Sequence, residues 1–127
     1  MFARIYYFKN RDELHKKIKF LKEYFLKNDG QFIYKEQDTK LIIISNTMIE
    51  GQEAFIFRDY EEIINFLENI HFKKFAIRSR RKNSQIENRN LGKLVLERLK
   101  EKRVDLEDPD ITIYIDQIKN LSYFFIK

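Results

Sequence analysis

The chain contains no cysteine, which excludes disulfides, thiolate nucleophiles and cysteine-ligated zinc together. Its three glycines, Gly30, Gly51 and Gly92, stand far apart, so there is no glycine-rich loop to cradle a phosphate. Histidine is nearly as scarce. His15 and His71 are the only imidazoles, and neither has a carboxylate or second histidine at ligand spacing on one face, which removes the usual carriers of acid–base catalysis and of metal binding. No apolar run approaches the roughly 18 residues of a membrane span, and the start MFARIYYFKNRDEL lacks the basic and hydrophobic regions of a secretory signal. We therefore expect a cytoplasmic chain with no membrane partner, no metal and no cofactor.

Hydrophobic side chains are plentiful. They make up 43% of the 127 residues and include 12 Phe and 7 Tyr, enough to build the core of one domain or of two small subdomains. The net charge of +5 is unevenly spread: Lys73 to Arg103 holds twelve Lys or Arg against three acids, whereas the rest of the chain holds 13 cations against 17 acids. A solvated surface tends to intersperse the two signs, so a localised positive field points to a polyanion partner.

Residues 2–8 read as a strand, and Asn10 with Glu13 reads as the capping box of a helix whose Leu14, Ile18, Leu21 and Phe25 recur at helical spacing until Gly30 stops it. FIYKEQ and KLIIISN follow as two strands joined by a turn at residues 38–40, the second apolar enough to be central. The seam between subdomains is expected within residues 47–54, with FIF at 55–57 as an edge strand or a plug. Asp59 and Glu62 cap a second helix bearing Ile63, Ile64, Leu67 and Ile70. In the strand FAIRSRR the pleat sends Phe75, Ile77 and Ser79 to one face and Ala76, Arg78 and Arg80 to the other. Ser84 opens a third helix with Glu87 at the reciprocal position, and Gly92 inside it implies close approach of a neighbour. The crossover VDLEDPD, anchored in the core by Val104 and Leu106, leads to ITIYIDQI and, after a turn near Lys119 and Asn120, to LSYFFIK.

Two clusters carry candidate chemistry. Asp105, Glu107, Asp108 and Asp110 supply the oxygen ligands a hard cation requires, but Pro109 holds Asp108 extended and should splay the carboxylates rather than gather them. The cations are the stronger candidates. Arg78 and Arg80 leave one strand face, Arg81 and Lys82 open the loop, and Arg89 and Lys93 lie one helical turn apart, so these six are expected to line one concave edge, with Lys74 at the start of the strand. Guanidinium forks suit phosphate because they donate two parallel hydrogen bonds. Tyr123, Phe124 and Phe125 alternate faces in the last strand, either as core or as a platform for unpaired bases.

The sequence FAIRSRR, followed by SQIENRNLGKLV and VDLEDPDITIYID, resembles the THUMP domain, a tRNA-binding module of tRNA-modifying systems. Val104, Asp105, Leu106, Pro109 and Asp110 carry the most specific part of the likeness, which extends over roughly residues 59–127. The resemblance implies an α+β chain: a shortened ferredoxin-like subdomain over residues 1–57, packed on a THUMP-like α/β subdomain with a mixed sheet over residues 58–127. It also implies tRNA as a partner, held near its acceptor end, with Lys74, Arg78, Arg80, Arg81, Lys82, Arg89 and Lys93 as the RNA-binding set. With no catalytic constellation in its residues, the chain is expected to be a non-enzymatic adaptor serving a separate modifying enzyme, similar to the partner of an RNA acetyltransferase that makes N4-acetylcytidine. The alternatives are a protein-interaction subunit with incidental RNA affinity, and a small nuclease using Asp105, Asp110 and Asp116.

Overall fold

A run of aromatic and aliphatic side chains broken only by Arg4 forms β1 (Phe2–Tyr7) in the computed structural model, which describes residues 1–127. The Asn10 side chain then accepts a hydrogen bond from the Glu13 N–H at 2.9 Å and starts α1 (Arg11–Lys27). That bond satisfies one of the donors a helix start leaves without a partner. The Gly30 N–H closes the far end on the Phe25 carbonyl, where a Cβ would collide with the Phe25 ring. Next come β2 (Phe32–Gln37) and β3 (Lys40–Ser45), joined through Asp38 in the left-handed region at φ 56°, and then β4 (Gln52–Glu53).

These strands pair antiparallel in the order β4-β1-β3-β2. This is the strand order of a split βαβ sheet, here with one helix only, so the expected shortened ferredoxin-like arrangement is present. Leu14, Ile18, Leu21 and Phe25 of α1 pack on Leu41 and Ile43, and β3 is central as its apolar run required. This unit comprises Met1–Ala54 together with the hairpin tip Ile118–Leu121.

The second unit comprises Phe55–Gln117 and Ser122–Lys127. It begins at Phe55 because β5 (Phe55–Ile56) pairs with the last strand, Phe55 opposite Phe124 and Ile56 opposite Tyr123. Asp59 caps α2 (Tyr60–Leu67) by accepting from the Glu62 N–H, while the Glu62 carboxylate accepts from the Arg58 N–H at 2.8 Å. Then follow β6 (Lys74–Ser79), α3 (Ser84–Arg98), β7 (Arg103–Val104), β8 (Ile111–Ile118) and β9 (Leu121–Ile126). The sheet order is β5-β9-β8-β6-β7, with β6 parallel to both β7 and β8 and β5 antiparallel to β9, so this sheet is mixed. Its core unites Ile63, Ile64 and Leu67 of α2 with Leu91 and Val95 of α3 on Phe75, Ile77, Ile113, Ile115 and Phe124. Tyr123 and Phe125 are buried as well, so the last-strand aromatics are core and offer no exposed stacking platform. No helix is long and apolar enough to cross a membrane.

Three local expectations give way here. Ser84 opens α3 as expected but closes no capping box: the cap position falls to Asn83, which is left-handed at φ 62° and makes no side-chain cap, and Glu87 turns inward. Val104 and Leu106 do not anchor the crossover in the core, being 48% and 65% exposed. The crossover is held by its backbone, since Arg103 N–H bonds to the Lys73 carbonyl and Asp105 N–H to the Phe75 carbonyl, both at 2.9 Å. Finally, no neighbour presses on Gly92. A Cβ built there meets only Ile77 Cδ1, at an ordinary 3.9 Å. Gly92→Ala is therefore expected to raise stability by about 0.5–1 kcal/mol through the lost chain entropy of glycine, read as an upward shift of the thermal midpoint.

Candidate nucleic-acid interface

The cation-rich end of β6 is built around one arginine that turns inward. Arg81 donates to both carboxylate oxygens of Glu87, through Nε at 3.1 Å and through Nη2, and its Nη1 donates to Ser122 Oγ at 2.6 Å. Its guanidinium lies over the Phe57 ring, 5.1 Å from the centroid. Glu87 is only 6% exposed. Besides the arginine it accepts from Ser79 Oγ and, at 3.1 Å, from the Tyr60 hydroxyl, so its oxygens are well satisfied in an apolar setting. Arg81 thus clamps the loop to α3 and β9, and its charge is already matched.

The seven cations singled out from the sequence consequently do not form a single patch. Lys74 begins β6, roughly 20 Å along an extended strand from Arg80, and its Nζ sits 3.3 Å from Asp108 and 3.9 Å from Asp105. Arg78 is exposed on the face of β6 opposite the one Ile77 presents to Gly92 of α3. Arg80 keeps to the strand through its N–H bond to the Ile115 carbonyl, and Lys82 is exposed in the loop. Arg89 and Lys93 are exposed on α3 one turn apart. Arg78, Lys82, Arg89 and Lys93 have no carboxylate within ion-pair range.

The acidic crossover is bound up with the backbone. Asp110 accepts from the N–H groups of Lys73 and Lys74 at 2.9 and 3.0 Å, and Asp105 accepts from those of Glu107 and Asp108 at 3.1 and 3.0 Å. The Lys74 N–H, followed by that of Lys73, holds the Asp110 carboxyl below its ordinary value; those of Asp108 and Glu107 do the same for Asp105. Hydrogen bonds to the charged form have that effect. Asp116 is buried elsewhere and accepts from the Gln117 N–H. Asp105, Asp110 and Asp116 therefore do not converge on a common point, and no group of three or more acids or histidines could hold a metal ion.

A feature the sequence did not announce lies between α3 and the crossover. Phe75 and Ile77 floor a groove of about 360 Å³, walled on one side by Asn88, Gly92 and Leu96 and on the other by Val104 and Leu106, with Arg89 and Lys93 also lining it. Leu96 is 44% exposed there. Gly92 lines this groove although it is itself a buried residue of α3.

Comparisons with known proteins agree with this architecture. A family model described as "THUMP domain" matches residues 59–127, more than half of the chain. Among solved structures, all of the chain aligns with PH1313 from Pyrococcus horikoshii OT3 at a TM-score of 0.73 and 18% identity, covering 54% of that chain. All of it also aligns with a 4-thiouridine synthetase in complex with RNA and bound ATP, at a TM-score of 0.67 and 19% identity, covering 41% of that chain. The chain thus spans about half the length of the first and less of the second. At these identities the likeness is one of fold. No curated protein sequence matches the chain.

Proposed function

The chain belongs to the THUMP domain family, and from that premise we propose that it is a non-catalytic tRNA-binding adaptor, presenting its RNA to a separate tRNA-modifying enzyme, of which an N4-acetylcytidine acetyltransferase is the candidate the sequence resemblance favours. The observation that carries this reading is the set of exposed cations without ion partners, Arg78, Lys82, Arg89 and Lys93, within the family-matched segment. Cations without acidic partners are available to hold phosphates, and phosphate contacts fix position on an RNA without reading its sequence. That the aligned 4-thiouridine synthetase was captured with RNA supports the same partner class. The absence of convergent acids around the crossover favours an adaptor over a nuclease.

The test is the salt dependence of tRNA affinity. Replacing Arg78 and Lys82 together with alanine is expected to flatten the plot of log affinity against log salt by roughly 1.4–1.8 units, at about 0.7–0.9 per lost phosphate contact. Lys74→Ala serves as the control and should leave the slope unchanged, because its charge is taken up by Asp105 and Asp108. An unaltered slope in the double variant would remove these residues from the interface. For the adaptor role, cells lacking the protein should lose one modified nucleoside from their tRNA, while the purified chain alone should leave tRNA composition unchanged.

A further inference from the structure

We propose that the free edge of β2 is a docking strand for an extended, acidic segment of a protein partner, which joins the first sheet as a further strand and sets its carboxylates beneath a cationic flank of α1. This rests on the adaptor reading, in which the partner is the separate modifying enzyme, and it uses no residue of the RNA-binding set.

The two sheets end in four edges, and three of these are two-residue strands: β4, β5 and β7. Edges that short offer a neighbouring chain little to pair with, which is one way natural sheets protect themselves. β2 is the exception. It runs for six residues without proline or bulge, in unbroken register with β3 from Phe32 opposite Ser45 to Gln37 opposite Lys40. The Asn46 N–H bonds to the Gln31 carbonyl at 3.1 Å, so by alternation residues 31, 33, 35 and 37 turn their backbone groups to β3. Phe32, Tyr34 and Glu36 turn theirs outward, where no group of the protein meets them. An N–H and a carbonyl side by side, recurring about every 7 Å, match another polypeptide strand. A phosphate backbone would meet three repelling carbonyls along with the three donors.

Charge defines the incoming strand. Arg11, His15, Lys19, Lys22 and Leu26 follow one another at three or four residues and form one stripe of α1, with Asp12, Glu13 and Glu23 off it. The stripe lies on the β2 side of the helix, because Arg11 reaches Glu36 at 2.7 Å and the Lys22 ammonium lies 5.8 Å from the Tyr34 ring centre. Neither Lys19 nor Lys22 has a carboxylate within ion-pair range, nor does Lys35 on the strand itself. A strand added beside β2 would pass below these charges, so its helix-facing side chains are acidic. Its other face runs past Ile33, which is 62% exposed, and carries an apolar residue there. In strand addition of this kind the main-chain bonds give affinity and the alternate side chains give specificity. A second copy of this chain fits badly. Two β2 edges related by a two-fold axis at Tyr34 would set the two lysine stripes facing each other, like charge against like.

The test uses the whole chain and three peptides of about eight residues, within the usual range of strand length: one alternating glutamate and valine, one alternating lysine and valine, and one with its glutamates in a block ahead of its valines. Residue-resolved amide exchange is the readout. In the free chain Phe32, Tyr34 and Glu36 should exchange fast while Ile33, Lys35 and Gln37 are protected. The alternating glutamate peptide, at ten times its Kd, is expected to slow the three outward amides about tenfold, and the other two peptides should leave them fast. Tyr34→Pro removes an outward N–H without touching the ladder to β3 and should abolish the protection at Phe32 and Glu36. Lys19→Glu with Lys22→Glu should weaken the glutamate peptide about tenfold; these positions are exposed on the helix and keep the test intact should Tyr34→Pro fail to fold. Protection that grows with the concentration of the chain alone would make a second copy the occupant, and protection by tRNA would make it RNA. Either result overturns the proposal, as does equal protection by the lysine peptide or none by any peptide. If tRNA binds while the edge amides stay fast, this surface falls and the RNA-binding reading stands; if the glutamate peptide protects the edge and tRNA does not bind, the reverse holds.

Discussion

Glu87→Ala is expected to remove about 3–5 kcal/mol of stability, the usual cost of leaving a buried charge without its partner. In the native chain the Glu87 carboxylate answers three donors at once: the Arg81 guanidinium, the Ser79 hydroxyl and the Tyr60 hydroxyl. With alanine in its place, Arg81 keeps only Ser122 Oγ and the face of Phe57, and two hydroxyls lose their acceptor. A urea unfolding curve should show the midpoint falling with its slope preserved. Replacing both partners, Arg81→Met with Glu87→Leu, should cost far less than Glu87→Ala alone, because an apolar pair leaves no orphaned charge. A Glu87→Ala loss below about 1 kcal/mol would instead mean that the pair is solvated as an ordinary surface bridge.

The second large effect is expected at Phe124. Its ring lies 5.2 Å from Phe55, 5.9 Å from Phe57 and 5.4 Å from Phe66, centroid to centroid, and it joins β5, α2 and β9 in one cluster. Phe124→Ala would open a cavity among aromatic neighbours that cannot close it without moving backbone, at a cost of about 3–5 kcal/mol. Phe124→Leu keeps more of the volume and should lose noticeably less. Because Phe55 faces Phe124 across the β5–β9 pair, the alanine variant should also speed amide exchange in the short β5 strand ahead of the rest of the sheet.

Where sequence periodicity had a long window to act, the elements were legible. The capping residues of α1 and α2, the central place of β3, the alternation of β8 and the helical stripe of α2 all follow from local chemistry that tertiary packing did not oppose. The α+β arrangement in two units was legible for the same reason. Short elements were not. β7 is two residues long, and an edge strand of that length can be held by backbone bonds with its side chains outside, so the apolar character of Val104 and Leu106 gave the wrong sign for their burial.

The cationic stretch shows a different limit. Four charges in the five positions from Arg78 to Lys82 look alike in one dimension, yet one is clamped by a glutamate six residues on, and nothing in the local pattern distinguishes Arg81 from Arg80. Strand alternation correctly separated Arg78 from Ile77, but the same alternation sets Arg78 on the opposite face from α3, so Arg89 and Lys93 could not join it on one edge. The cost of Gly92 in a helix is legible in the sequence, but not whether the space above it is filled: a Cβ there would meet only Ile77 Cδ1, at 3.9 Å.

The inward turn of Arg81 also bears on how fast and how selectively a partner is gripped. A run of like charges on a free loop would be a mobile brush, collapsing onto any anion at an entropic penalty. Pinned at its midpoint, the loop instead displays Lys82 from a fixed strut while Arg78 projects from the rigid strand beneath. A polyanion arriving at this surface meets a loop backbone already in place, so only the exposed cation side chains remain to be ordered.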